Sequence, residues 1–93
     1  MARFHDIQNR HGELLRASAG ALAAKGTATL HTTAGDIQAR LVRFREGAVV
    51  LEIDHPSGRS QSRPSESTVA EATVHELANA LASIQPDAEP LGG

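Results

Sequence analysis

No cysteine occurs in these 93 residues, so disulfides, thiolate metal sites and thiol nucleophiles are excluded. Tryptophan and tyrosine are also absent. Phe4 and Phe44 are the only aromatic residues, which removes the stacking platforms that RRM and OB surfaces offer to nucleic-acid bases. No apolar run approaches the roughly 18 residues needed to span a membrane, so no membrane partner is expected. The opening residues Met-Ala-Arg-Phe-His-Asp lack the basic-then-apolar order of a secretory signal, which points to the cytoplasm.

What the chain has instead is alanine. It supplies 16 of the 37 apolar residues, leaving nine Leu, five Val, four Ile and two Phe as bulky core formers. Those 20 residues lie just above the level of about 20% below which chains tend to stay disordered, so a single domain with a thin core is expected. That domain is placed at residues 1–86. Residues 87–93, which follow Pro86 and show no apolar periodicity, read as a disordered tail. Charge divides unevenly: residues 1–45 hold seven basic side chains and three acidic, residues 46–93 two and eight. The halves are expected to pack together and neutralise. A basic first half would otherwise serve an anionic partner.

Asp6 or Asn9 caps a first helix whose apolar positions are Ile7, Leu14, Leu15 and Leu22, and Gly26 stops it. The small residues of its second half suit close helix packing. Alternation then replaces the helical period: Thr27, Thr29, His31 and Thr33 fall on one side of a strand, with a turn at Ala34-Gly35-Asp36. Further strands are read at 37–45, 48–55 and, short and polar, at 59–63. Thr68 and Glu71 have the spacing of a capping box ahead of a second helix. Val74, Leu77, Leu81 and Ile84 form its apolar stripe, and Pro86 ends it. The expected fold is α+β, a two-layer sandwich of N-terminal helix, antiparallel β-meander of three to four strands and C-terminal helix.

Two registers compete in the central hairpin. A two-residue Glu46-Gly47 turn would force glutamate into a left-handed conformation, whereas a three-residue Arg45-Glu46-Gly47 loop asks positive φ of Gly47 alone. The second is preferred. It pairs Leu41 with Leu51, Ala39 with Ile53 and Arg40 with Glu52, and it gathers Val42, Phe44 and Val50 on the face away from the helices. A contiguous apolar patch on an open sheet face calls for a partner, the simplest being a second copy of the chain.

Chemistry-bearing motifs are few. His5, His11, His31, His55 and His75 show no close His-pair spacing and no His-Glu-x-x-His, so no metal is expected. Glu52, Asp54 and His55 are raw material for acid–base work. Alternating charge at the end of a strand explains them without catalysis, and no Gly-rich phosphate loop or nucleophile elbow accompanies them. His31, on its threonine-lined face, could meet a small polar ligand. No catalytic residue, cofactor or enzyme activity is expected.

The order helix, meander, helix, with the third strand ending Leu51-Glu52-Ile53-Asp54-His55-Pro56-Ser57, resembles the small nucleoid-associated YbaB/EbfC proteins, which are DNA-binding dimers. The Ile-Asp-x-Pro-Ser stretch carries the likeness, with His55 as an extra residue. The primary expectation is a non-catalytic homodimeric accessory or binding domain. The alternative that the resemblance implies is a nucleoid-type DNA binder, whose contacts would be Arg3, Arg10, Arg16 and Lys25.

Overall fold

The structure, a computed structural model, describes residues 4–84 together with Pro90 and Leu91, with side chains from Arg10 onward. Helix α1 (Phe4–Lys25) opens the chain, earlier than either expected cap, and is two helical segments joined at His11. There the backbone leaves the helical region (φ −125°, ψ 17°), beside the conformationally permissive Gly12. At the far end Gly26 takes φ +82° and its N–H donates to the Leu22 carbonyl at 2.7 Å, a left-handed cap that only glycine adopts without strain. The carbonyl of Gly26 then accepts from the Leu41 N–H at 2.9 Å. The residue that ends the helix therefore makes the first rung of the sheet.

Four strands follow as an antiparallel meander in the order β1 (Thr27–Thr32), β2 (Gly35–Arg43), β3 (Val49–His55), β4 (Gly58–Ser62). The turn between β1 and β2 is Thr33-Ala34, with Gly35 opening β2 rather than sitting in the turn. Thr32 replaces the expected turn chemistry, because its Oγ1 accepts from the Ala34 N–H at 3.0 Å and donates to the Gly35 carbonyl. In the central hairpin Leu41 stands opposite Leu51, Ala39 opposite Ile53 and Arg40 opposite Glu52, which is the register of the three-residue loop. Its closing bonds, Phe44 N–H to Ala48 carbonyl at 2.9 Å and Gly47 N–H to Phe44 carbonyl at 3.1 Å, leave Gly47 alone at positive φ.

A short 3₁₀ turn (Glu66–Thr68) precedes helix α2 (Val69–Ile84). Here the capping-box reading is corrected. The Thr68 hydroxyl donates back to the Ser65 carbonyl at 3.2 Å and meets the Ser65 hydroxyl at 2.8 Å, so it serves the 3₁₀ turn and not the first N–H groups of α2. The chain enters helical turns at Glu66, three residues before the position that the Thr68–Glu71 spacing implies, although α2 itself begins at Val69.

Both helices pack on one sheet face. Leu30, Ile37, Ala39, Leu41, Val49, Leu51 and Ile53 meet Leu15 and Leu22 of α1 and Val69, Leu77 and Leu81 of α2 in a single buried cluster. Val74 and Ile84, expected in the stripe, are only partly buried, and Thr73 takes the more central place. The Thr73 hydroxyl is satisfied by the Val69 carbonyl at 2.8 Å, so its burial leaves no orphan donor. Of the small residues in α1, Ala19 is buried, whereas a Cβ at Gly20 would meet nothing within 4 Å. Close packing thus uses the alanine and not the glycine. Among the described residues, no helix is long and apolar enough to cross a membrane.

Two residues of the segment read as a free tail are described, and both touch the sheet. Pro90 forms an isolated antiparallel bridge with Thr32, and the Leu91 N–H donates to the His31 carbonyl at 2.6 Å.

Candidate binding face

Alternation along the strands sends every second side chain to the sheet face away from the helices, and the register arranges them in rows. Thr27, Arg40, Glu52 and Gln61 form one row across the four strands. Thr29, Gln38, Asp54 and Arg59 form the next. His31 stands opposite Asp36 nearer the hairpin end, and Val42 opposite Val50 at the other.

The charged members of this grid answer one another. Arg40 lies 3.6 Å from the Glu52 carboxylate, which also accepts from the Gln61 amide at 3.1 Å. The Arg59 guanidinium donates to Asp54 at 3.3 Å; outside the grid, at the end of β2, the Arg43 Nε donates to Glu66 of the 3₁₀ turn at 3.2 Å. Glu52 and Asp54, the candidates for acid–base chemistry, are each engaged by an arginine. Pairing of this exposed kind contributes little to stability. It does leave the polar part of the face electrically balanced.

The histidines scatter. His5 has no described side chain, and His11 sits half-buried at the kink of α1. His31 Nδ1 lies 2.8 Å from Asp36 Oδ1, with both side chains at least half exposed. His55 Nδ1 accepts from the Ser57 N–H at 3.2 Å, and His75 is on the outer side of α2 beside Arg16 of α1. Among the described residues, no three His, Asp or Glu side chains come close enough together to hold a metal ion. The His31–Asp36 pair was not legible as a motif, because its partners are five residues apart and only the hairpin brings them face to face.

The remaining corner of the face is apolar. Phe44 is 54% exposed, the largest exposure of any large hydrophobic side chain among the described residues, and Val42 and Val50 beside it are only partly covered. Phe44, Ala48, Val50, Arg63 and Pro64, with the core residue Val49, line a shallow groove of about 300 Å³ at this corner of the sheet. The three side chains expected on the open face are therefore together on it. Arg63 and Pro64 join them because β4 ends beside the start of β3, a contact that follows from register and not from any local pattern.

The basic candidates lie elsewhere. Arg3 is outside the described residues. Arg10, Arg16 and Lys25 are exposed on α1, spread over fifteen residues or about 22 Å of helix, with Glu13 between the first two. The Arg16 guanidinium folds back toward Gly12 and shares a groove with Glu71 and His75 of α2.

No family model, curated protein or solved structure matches this chain.

Proposed function

We propose that this chain is a non-catalytic cytoplasmic binding domain that works as a homodimer joined through the open face of its sheet, with Val42, Phe44 and Val50 at the centre of the contact. The observation that carries the reading is Phe44, one of two aromatic residues in the chain and more than half exposed beside two valines. Covering the exposed half of Phe44 across a two-fold axis recovers on the order of 1 kcal/mol before the cost of association, and Val42 and Val50, already mostly covered, add less. A two-fold contact also suits the balanced grid of Arg40, Glu52, Asp54 and Arg59, which brings no net charge of its own to a self-complementary interface.

The substitution Phe44→Glu tests this. The parent is expected to scatter light as a dimer at micromolar concentration and the variant as a monomer with unchanged far-UV CD. A variant that keeps the parent's mass would move the contact off this face. An unfolded variant would contradict the exposure of Phe44 on which the reading rests.

DNA binding through Arg10, Arg16 and Lys25 would use a different surface, and it has its own signature. Phosphate contacts weaken steeply as salt rises, so a mobility shift on random duplex at low salt that disappears at physiological salt would favour it.

A further inference from the structure

The two edges of the sheet are protected by different means. β4 is short, carries Arg59, and runs into Arg63 and Pro64, all devices that discourage further pairing. β1 reads Thr-Ala-Thr-Leu-His-Thr, six residues without proline, glycine, Lys, Arg, Asp or Glu. Its own composition makes it an open template, since β-branched threonines favour extended pairing and no charge on the strand opposes it.

What protects β1 comes from elsewhere in the chain. The Leu41 N–H bonds the Gly26 carbonyl, and Thr32 stands opposite Gly35. Antiparallel alternation then turns the backbone groups of Ala28, Leu30 and Thr32 toward β2, and those of Thr27, Thr29 and His31 outward. Pro90 lies across from Thr32 in an antiparallel bridge, and the Leu91 N–H donates to the outward His31 carbonyl at 2.6 Å. The same alternation points the nitrogen of Pro90 away from β1, where proline has no N–H to offer. The contact therefore occupies an acceptor of the edge and presents no new donor at Pro90 to a further strand.

Two copies of β1 would otherwise match. An antiparallel pairing centred on Thr29 sets Thr29 against its twin and Thr27 against the second copy's His31, which uses every outward residue of the strand. The two-fold axis of that pairing also brings the two α1 helices side by side. The walls they would turn to each other are Ala17, Ser18 and Ala21, the small residues that line the groove between α1 and β1. Because the pairing is symmetric, a Leu91 bonded to His31 in each copy obstructs both flanks and leaves only the central Thr29 pair.

We propose that Pro90 and Leu91 form an edge guard that keeps β1 from joining β1 of a second copy, and that lifting the guard lets two sheets merge into one. This edge is distinct from the Phe44 corner, so the inference stands or falls independently of the proposed open-face dimer.

The chain has no cysteine, so Thr29→Cys places a single thiol at the centre of the pairing, where opposed residues of antiparallel strands come within reach of a disulfide. The experiment follows the formation of disulfide-linked dimer in oxidised glutathione, using the 93-residue chain with Phe44→Glu so that the open face does not contribute. Adding Leu91→Pro removes the N–H that bonds His31 and changes a half-exposed side chain outside the core. It should speed cross-linking by about tenfold, the worth of freeing one modest hydrogen bond in each of two chains. Pro90→Gly, which loosens the guard through backbone freedom, should act in the same direction by a smaller factor. With Leu91→Pro present, Thr27→Cys chains should stay slow alone and link quickly only when mixed with His31→Cys chains. The inference is overturned by equal rates with and without the Leu91 and Pro90 substitutions, by the absence of linked dimer, or by Thr27→Cys chains that link to themselves as fast as Thr29→Cys chains. The comparison is a rate ratio at one position, so a Phe44→Glu chain that remained dimeric would count against the open-face contact alone.

Discussion

Leu51→Ala is expected to lower the melting temperature by at least about 8 °C and to shorten the urea transition without changing its slope. Leu51 is fully buried at the middle of β3, with Leu41 opposite it on one side and Ser62 on the other. Removing three carbons there loses their transfer free energy and leaves a cavity that the surrounding sheet closes only in part, a cost of about 2–5 kcal/mol. The total stability of a chain this size is on the order of 5–14 kcal/mol, so a large share is at stake. Alanine occupies several buried sites of the same cluster, among them Ala39, Ala78 and Ala80, and such short side chains have nothing to extend into the void. A fall of only a degree or two would mean that the helices settle onto the sheet and refill the space.

The second large effect is expected at Gly35. Its φ of +121° is closed to most side chains, and a Cβ built there would lie 2.7 Å from Cγ of Pro56, in the neighbouring β3–β4 turn. The proline ring has little freedom to withdraw. Gly35→Ala should therefore cost about 1–3 kcal/mol in backbone strain and more through the collision of the two turns, lowering the melting temperature by about 4 °C or more. Gly47→Ala is the internal comparison: its φ is +83° but a Cβ meets nothing within 4 Å, so it bears the strain alone. Pro56→Ala in the Gly35→Ala background should recover the difference between the two glycine variants. Equal losses at Gly35 and Gly47, with no recovery, would show that the turns do not press on each other.

Those two positions also show what a sequence of this kind makes legible. Gly47 could be read in advance, because a hairpin loop bounded by Phe44 and Ala48 needs one left-handed residue and glycine was available at only one place. From that single requirement the pairing of Leu41 with Leu51 followed, and with it the placement of Val42 and Val50 on the outer face beside the exposed Phe44. Gly35 could not be read in the same way. Its constraint comes from Pro56, which is 21 positions away and approaches only after two hairpins have formed. The kink at His11 and the bridge between Pro90 and Thr32 were hidden for related reasons: one breaks a helix inside an uninterrupted helical pattern, and the other joins residues with no local periodicity. Thr68 misled because Ser65 offers a carbonyl three residues earlier, and a hydroxyl that can bond backward need not cap forward. In the candidate face the alternating residues were readable from the strands, whereas Arg63 and Pro64 entered through register alone.

The central claim is that the open face of the sheet is an interface between two copies of the chain. Sedimentation equilibrium of the unmodified protein across a dilution series from about 100 to about 1 micromolar tests it most directly. The account predicts a mass near twice the 9.8 kDa of one chain at the upper end, falling toward the single-chain value on dilution. A mass of 9.8 kDa throughout the series would contradict it.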